Sequence, residues 1–372
     1  MMSACGGPDD GNGDGNGDGN GNGNGTTAPA LSDRVAALFA TPSAGGVRTI
    51  GVDRFEVWIC HVPADSTAAI YGGLPLRLPL TPQAAAAAVN TRVPAYFDAL
   101  SHGRYRPEFA AGGEVTIASN DEPQACVDGA LAGAGDETDA VLVVADAEHG
   151  ADQAGGFGTG GDPCPPSTEC IAATNRRAAY VGASDFHPDW GEQPPMDLVQ
   201  HEVGHTLGWV HSAVDASGNY LSGLDVMSNP AFPREIDPAR RDGPATLAIN
   251  LLLAGWLPDP TDTVVAADAV EVELSASTGA DGTRLLLLDD GSGPLYSVEL
   301  LTADGFDDHL PADGIAVHEI QLVDGLVASI TPMVGSAPFT ALLQPGDEVQ
   351  FGEWTLTVSD DWTVSAERSS AP

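Results

Sequence analysis

Apolar positions along this chain fall into two regimes that change over near residue 258. In the first, short apolar strands alternate with helical stretches. Phe55–Val62 reads as a strand, and Thr81-Pro82 caps and opens a helix that runs through an alanine block to about Leu100. Glu114–Ile117 is a second strand and Cys126–Leu131 a helical patch. Ala140–Ala145 is a continuous apolar run of the kind a buried central strand shows. A Gly- and Pro-rich loop follows from His149 to Thr174. Ala178–Ala183 then reads as an edge strand, along which an extended peptide could pair, ahead of a helix opened by Pro194-Pro195. After Pro258-Asp259-Pro260-Thr261 the helical period disappears. Apolar stretches recur at Val264–Leu274, Arg284–Leu288, Leu295–Leu301, Ile315–Leu322, Phe339–Leu343 and Trp354–Val358, separated by turn residues, a spacing that predicts an antiparallel sandwich. The expected fold class is therefore α/β (α+β), with a mixed, mostly parallel sheet and a functional helix in residues 31–258, followed by an all-β sandwich-like domain in 259–372.

Composition changes this picture mainly at the N-terminus. Residues 6 to 30 repeat Gly, Asn and Asp with almost no apolar content, so 1–30 is expected to be a disordered tether. Asp10, Asn12 and Asp14 mimic the start of a calcium loop, but Gly21 stands where its bidentate Glu belongs. With 53 acidic residues against 14 basic ones, the net charge of -39 argues against nucleic acid or an anionic membrane as partner. Leu247–Leu257, the best candidate span, is far short of the roughly 20 residues a bilayer needs.

The chemistry concentrates at His201-Glu202-Val203-Gly204-His205-Thr206-Leu207-Gly208-Trp209-Val210-His211. Residues four apart share a helix face, so His201 and His205 can present imidazoles to one point, while Glu202 leans over its open side. Gly208 can take a left-handed conformation, ending the helix and letting the chain bring His211 back as a third donor. Three neutral imidazoles at about 2.0–2.1 Å with one position left for water describe a catalytic zinc site rather than a closed structural one. A bare H-E-x-x-H is only a moderate signal, and a lone helical His is usually a core residue. The added Gly and His at fixed offsets make the chemistry specific.

The long motif resembles that of the metzincin zinc peptidases, which place a methionine turn beneath the metal. Met227, in Leu224-Asp225-Val226-Met227-Ser228 and sixteen residues after His211, looks like that turn. The stretch ending Leu253-Ala254-Gly255-Trp256-Leu257, with Tyr296–Glu299 and Asp307–His318, is similar to gametolysin and immune-inhibitor-A-like peptidases. The likeness covers roughly residues 50 to 320. Two departures stand out: Asn229 occupies the place where astacin and serralysin variants carry a Tyr, and Leu300-Leu301-Thr302 lacks an Arg expected after Glu299. The resemblance implies an endopeptidase acting on extracellular protein or peptide, with Zn2+ on His201, His205 and His211 and Glu202 as general base. A surface lipoprotein whose β domain binds a partner is the alternative, with a latent site or one that hydrolyses a non-peptide amide.

Cysteines bear on where the protein works. Cys60, Cys126, Cys164 and Cys170 suggest two disulfides with three possible pairings. Cys164–Cys170 would staple the Pro-rich loop and leave Cys60–Cys126; buried free thiols are the cytosolic alternative. Cys5, ahead of the flexible spacer, looks like the acceptor of a bacterial lipoprotein whose signal is otherwise missing. An inert thiol ranks second, and third a cysteine switch in Cys5-Gly6-Gly7-Pro8-Asp9 that lacks its preceding Arg. An extracellular or cell-surface location is expected, with membrane contact only through a lipid at Cys5. Asp304, Asp307 and Asp308 could hold Ca2+, although an acidic turn is the plainer reading. His149 and His187 are expected to be solvated loop residues. No oligomeric state is assigned.

Overall fold

Ala140–Ala145 is buried at all of its positions, which a strand achieves only when both faces of its sheet are covered. The computed structural model describes residues 33–40, 50–63, 69–70, 74–75, 78–118, 123–147, 156–159, 176–215, 218–289, 291, 293–323, 325–333 and 342–369. Leu31–Pro372 packs as one compact unit. Its first half runs α1 (Asp33–Ala40), β1 (Gly51–His61), β2 (Ala69–Ile70), β3 (Leu74–Pro75), α2 (Pro82–Val89), α3 (Val93–Leu100), β4 (Tyr105–Thr116), α4 (Pro123–Gly133), β5 (Ala140–Ala145), β6 (Gly156–Thr159), β7 (Arg177–Val181), α5 (Asp197–Thr206), α6 (Phe232–Ile236) and α7 (Ala248–Leu253). The first sheet has the order β4-β1-β5-β7-β6, parallel throughout except for β6, which pairs antiparallel to β7.

Alternate side chains of this sheet go to opposite faces. Val57, Ile59, Leu142, Val144, Ala179 and Val181 meet α2, α3, α5 and α7 in the larger core, while Trp58, Cys60, Val141, Val143, Ala178 and Tyr180 meet α4 on the other side. Cys60 and Cys126 are disulfide-bonded, tying β1 to α4. A crosslink spanning 66 residues stabilises by about 4 kcal/mol in the loop-entropy account. Cys5, Cys164, Cys170 and His149 lie outside the described residues, as does the 1–30 tether.

Two expectations are corrected. The helix expected to run unbroken to Leu100 divides at Asn90–Arg92, because Pro94 cannot donate the main-chain bond that continuity would need. Thr81 caps α2 as anticipated, its hydroxyl accepting from Ala84 N at 3.2 Å. The strand before α5 is also not an edge. β7 is buried at all five positions between β5 and β6, and the edge is the glycine-containing Gly156–Thr159, which the sequence presents as part of a loop.

The second half contains β8 (Thr263–Ala266), β9 (Val270–Glu273), β10 (Leu285–Leu288), β11 (Leu295–Leu301), β12 (Gly314–Val323), β13 (Leu326–Pro332), β14 (Glu348–Phe351), β15 (Trp354–Val358) and β16 (Thr363–Arg368). These form a five-stranded sheet, β13-β12-β11-β10-β8, and a four-stranded sheet, β14-β15-β16-β9, facing across a second core. The sandwich is antiparallel except where β8 lies parallel to β10; the chain between them detours through β9 in the opposite sheet, and such a crossover permits parallel pairing. β10 and β11 are buried at all positions, since Leu286, Leu288 and Val298 face the sandwich core while Leu285, Leu287 and Leu295 join the core of the first half. The change at residue 258 is therefore a boundary between sheets, and the hydrophobic core crosses it.

Candidate metal centre

α5 supplies the first three site residues. Its start is fixed by Asp197, fully buried, which accepts from Leu198 N and pairs with Arg234 Nε at 2.8 Å. Its end is a Schellman motif: Trp209 N donates to Gly204 O at 3.3 Å and Gly208 N to His205 O at 3.0 Å. Gly208 adopts φ +85°, the left-handed turn anticipated from the sequence, and the chain reverses to present His211. The reversal continues through Ala213, a non-glycine residue at φ +52°, a conformation that costs on the order of 1–3 kcal/mol and persists where its surroundings impose it. Here Ala213 donates N–H to Ile330 O at 2.9 Å and accepts from Leu221 N at 3.0 Å.

The three imidazoles converge. His211 Nε2 lies 2.8 Å from His205 Nε2 and 3.2 Å from His201 Nε2. All three ligand atoms sit within 4.8 Å of one another, and among the described residues this is the sole cluster of its kind. Backbone carbonyls set two of the tautomers: His201 Nδ1 faces Val226 O at 2.6 Å and His205 Nδ1 faces Trp209 O at 2.8 Å. With those protons on Nδ1, both Nε2 lone pairs point at the shared centre, as in metal sites whose second-sphere carbonyls orient the rings. Burial holds His201 well below the usual histidine range, takes His205 down to about 4 and lowers His211, with their mutual repulsion adding to the first two. Neutral, convergent imidazoles suit a borderline cation such as Zn2+, Cu2+ or Fe2+.

Glu202 is 2 % exposed, and its Oε2 has no hydrogen-bond partner. Burial alone raises its carboxyl well above the usual range; a cation among the histidines would draw it back down. A buried carboxylate with an unused oxygen, one residue along the helix from a converging histidine, has little structural use and suits a proton acceptor at a metal site.

Met227 lies beneath this helix. A Cβ on Gly204 would come within 2.6 Å of Met227 Sδ and 2.8 Å of Trp209 Cε3, so the glycine inside the motif leaves the space both side chains fill. The turn that carries Met227 is closed by Asp225, which accepts from Met227 N at 3.1 Å, Ser212 Oγ at 2.6 Å and Thr246 Oγ1 at 2.9 Å. Asn229 bonds instead to the start of α6, accepting from Ala231 N at 3.2 Å. The oxygen donor that the sequence does not point to is Tyr220. Its hydroxyl lies 3.2 Å from His211 Nε2, and its ring stands edge-on to His211 with centroids 4.9 Å apart. Tyr220 lies nine residues past His211 within a loop, where no helical spacing relates the two.

Other expected site residues do not converge. Asp307 is buried and accepts from Ala245 N at 2.9 Å, Asp308 pairs with Arg240, and Asp304 accepts from Thr302 Oγ1 at 3.0 Å. His187 Nδ1 accepts from Asp189 N at 3.2 Å, capping a short 3-10 turn. Among the described residues no helix is long and apolar enough to cross a membrane. No protein-family model matches the chain, and no curated protein matches it.

Proposed function

We propose that this chain is a zinc-dependent endopeptidase of the metzincin type, acting on extracellular protein. The observation that carries the reading is the convergence of two carbonyl-locked imidazoles on a third, with Glu202, next to His201 on the same helix, buried and its Oε2 without a partner. His201, His205 and His211 would hold the ion. Bound zinc supplies Lewis-acid polarisation of a carbonyl and acidifies a water. Glu202 takes the proton from the attacking water and returns it to the leaving amine, using the oxygen that no protein group occupies. Tyr220, whose hydroxyl reaches the same centre from the solvent side, donates a hydrogen bond to negative charge developing on the substrate carbonyl. β6 has no strand paired to its outer side among the described residues and lies against α5, with Gly158 packed so tightly on Glu202 O and His205 Cβ that a side chain would collide. An extended peptide adding to that edge would pass the histidines.

The test is zinc content and casein cleavage in wild type, Glu202→Ala and His205→Ala, with and without chelator. Wild type should hold one zinc and cut in a chelator-sensitive way, Glu202→Ala should hold zinc and lose turnover by about 10²–10⁴-fold, and His205→Ala should lose the metal. Zinc-loaded wild type that leaves every unfolded substrate intact would favour the latent or non-peptide alternatives.

A further inference from the structure

We infer that the five-stranded sheet of the second half, with its β11–β12 connection, is a working part of the metal centre, because it sets the position of the Met227 turn and of the loop that carries His211. This inference rests on the three histidines binding a metal, and it concerns what holds them in place. The two segments that complete the site, 211–214 and 222–228, are gripped from the second half of the chain at separate points. Leu224, immediately before the turn, is 3 % exposed and is buried among Leu301, Leu310 and Ala316, all from the second half. His309 Nε2 bonds to Gly223 O at 2.8 Å. Ile330 of β13 accepts from Ala213 N, two residues beyond His211, at 2.9 Å and is itself 2 % exposed.

Each grip leads to a ligand by a short path. The turn held through Gly223 and Leu224 offers Val226 O to His201 Nδ1, the bond that aims His201 Nε2 at the centre. The same turn accepts Ser212 N on Met227 O at 3.0 Å and Ser212 Oγ on Asp225, fixing the residue next to His211. Ala213 keeps its left-handed backbone because Ile330 and Leu221 satisfy its N–H and C=O. Loosening the second half therefore frees the His211 loop and lets the His201 ring rotate, while α5, packed on the first sheet, keeps its fold. His309 and Leu310 are positioning residues in this scheme, remote from the reacting atoms.

The experiment measures Co2+ affinity by competition with a chromogenic chelator, the Co2+ absorption spectrum, and denaturant unfolding of metal-free protein. It compares wild type, His309→Leu, His309→Gln and Leu310→Val. His309→Leu loses the donor to Gly223 O and should weaken Co2+ binding roughly tenfold, the lower end of what losing a ligand-orienting group costs. Its absorption band should also shift. His309→Gln, which can place an amide N–H near the lost Nε2, should recover most of both. Leu310→Val trims the contact under Leu224 and should act in the same direction without unfolding the chain, so the inference stays testable if His309→Leu does not fold. Wild-type affinity and an unaltered spectrum in all folded variants would overturn it, as would variants that lose only unfolding free energy. Wild type that takes up no Co2+ would refute the metal site itself, and this inference with it.

Discussion

Gly204→Ala separates local helix preference from the packing beneath the site. Gly204 lies inside α5, where alanine is favoured over glycine by about 1 kcal/mol. Were the helix surface open there, the substitution would stabilise the protein. Instead the new methyl would lie 2.6 Å from Met227 Sδ and 2.8 Å from Trp209 Cε3. Neither neighbour has room to retreat: Met227 is 0 % and Trp209 1 % exposed, and the Trp209 ring is packed against Phe97 and Trp256 at centroid distances of 6.0 and 5.4 Å. Overpacking of this kind costs about 1–3 kcal/mol, so the steric effect wins and the net loss reaches about 2 kcal/mol. Displacing Met227 also moves Val226 O off His201 Nδ1, so metal affinity should fall together with stability. Urea unfolding of the metal-free protein and chelator competition read the two effects. In a Met227→Ala background the methyl gains space, and a double-mutant cycle should show coupling of at least about 1 kcal/mol. If Gly204→Ala stabilises by the full helix-propensity gain, or the cycle shows no coupling, the argument that Gly204 exists to seat Met227 is wrong.

Two other outcomes follow from the site and the core. Tyr220→Phe should keep full metal affinity and lose about 10²-fold in turnover, the usual effect of removing one donor to a developing oxyanion; turnover equal to wild type would remove Tyr220 from the mechanism. Stability should decline as pH rises from 6.5 to 8, because burial raises Glu299 to about 8 and Asp307 to about 7. A carboxyl whose folded pKa is raised contributes fully below its unfolded value and loses that contribution as pH passes through the folded one. For Glu299 alone this amounts to about 1–2 kcal/mol over that interval. His318, buried and lowered to about 4, works in the opposite sense and lower down, its contribution present above pH 6.5 and lost as pH falls through 4. Denaturation midpoints against pH should therefore fall less steeply between 6.5 and 8 in Glu299→Gln, where Asp307 alone of the pair still titrates, and parallel slopes for the two proteins would contradict the linkage.

What could be read in advance was what local rules fix. The i, i+4 spacing of His201 and His205, the left-handed Gly208 and the doubly buried Ala140–Ala145 run each follow from backbone geometry within a few residues. Pro94 was equally visible, and its consequence for the helix could have been drawn from the missing N–H. Other features depend on partners distant in sequence. Phe157 and its glycine neighbours look like loop until β7 offers an antiparallel edge. Tyr220 is an ordinary loop tyrosine until Ala213 and Leu221 fold it over His211. Gly204 occupies a variable place in the motif, and its role appears only when Met227 and Trp209 arrive from elsewhere. Asp225 likewise reads as one letter of a turn, although its carboxylate joins three segments of chain.

The strands β10 and β11 are buried on both sides, and this limits how the gene can be cut and recombined. A module that is exchanged freely between proteins closes its own surface. Here a break at residue 258 would leave Leu285, Leu287 and Leu295 facing water on one fragment and uncover the core around α7 on the other. Neither fragment closes its own surface, so the two halves fold as one unit. Removal of the C-terminal 114 residues by a processing protease would accordingly unseat the three-histidine cluster rather than release a smaller folded unit.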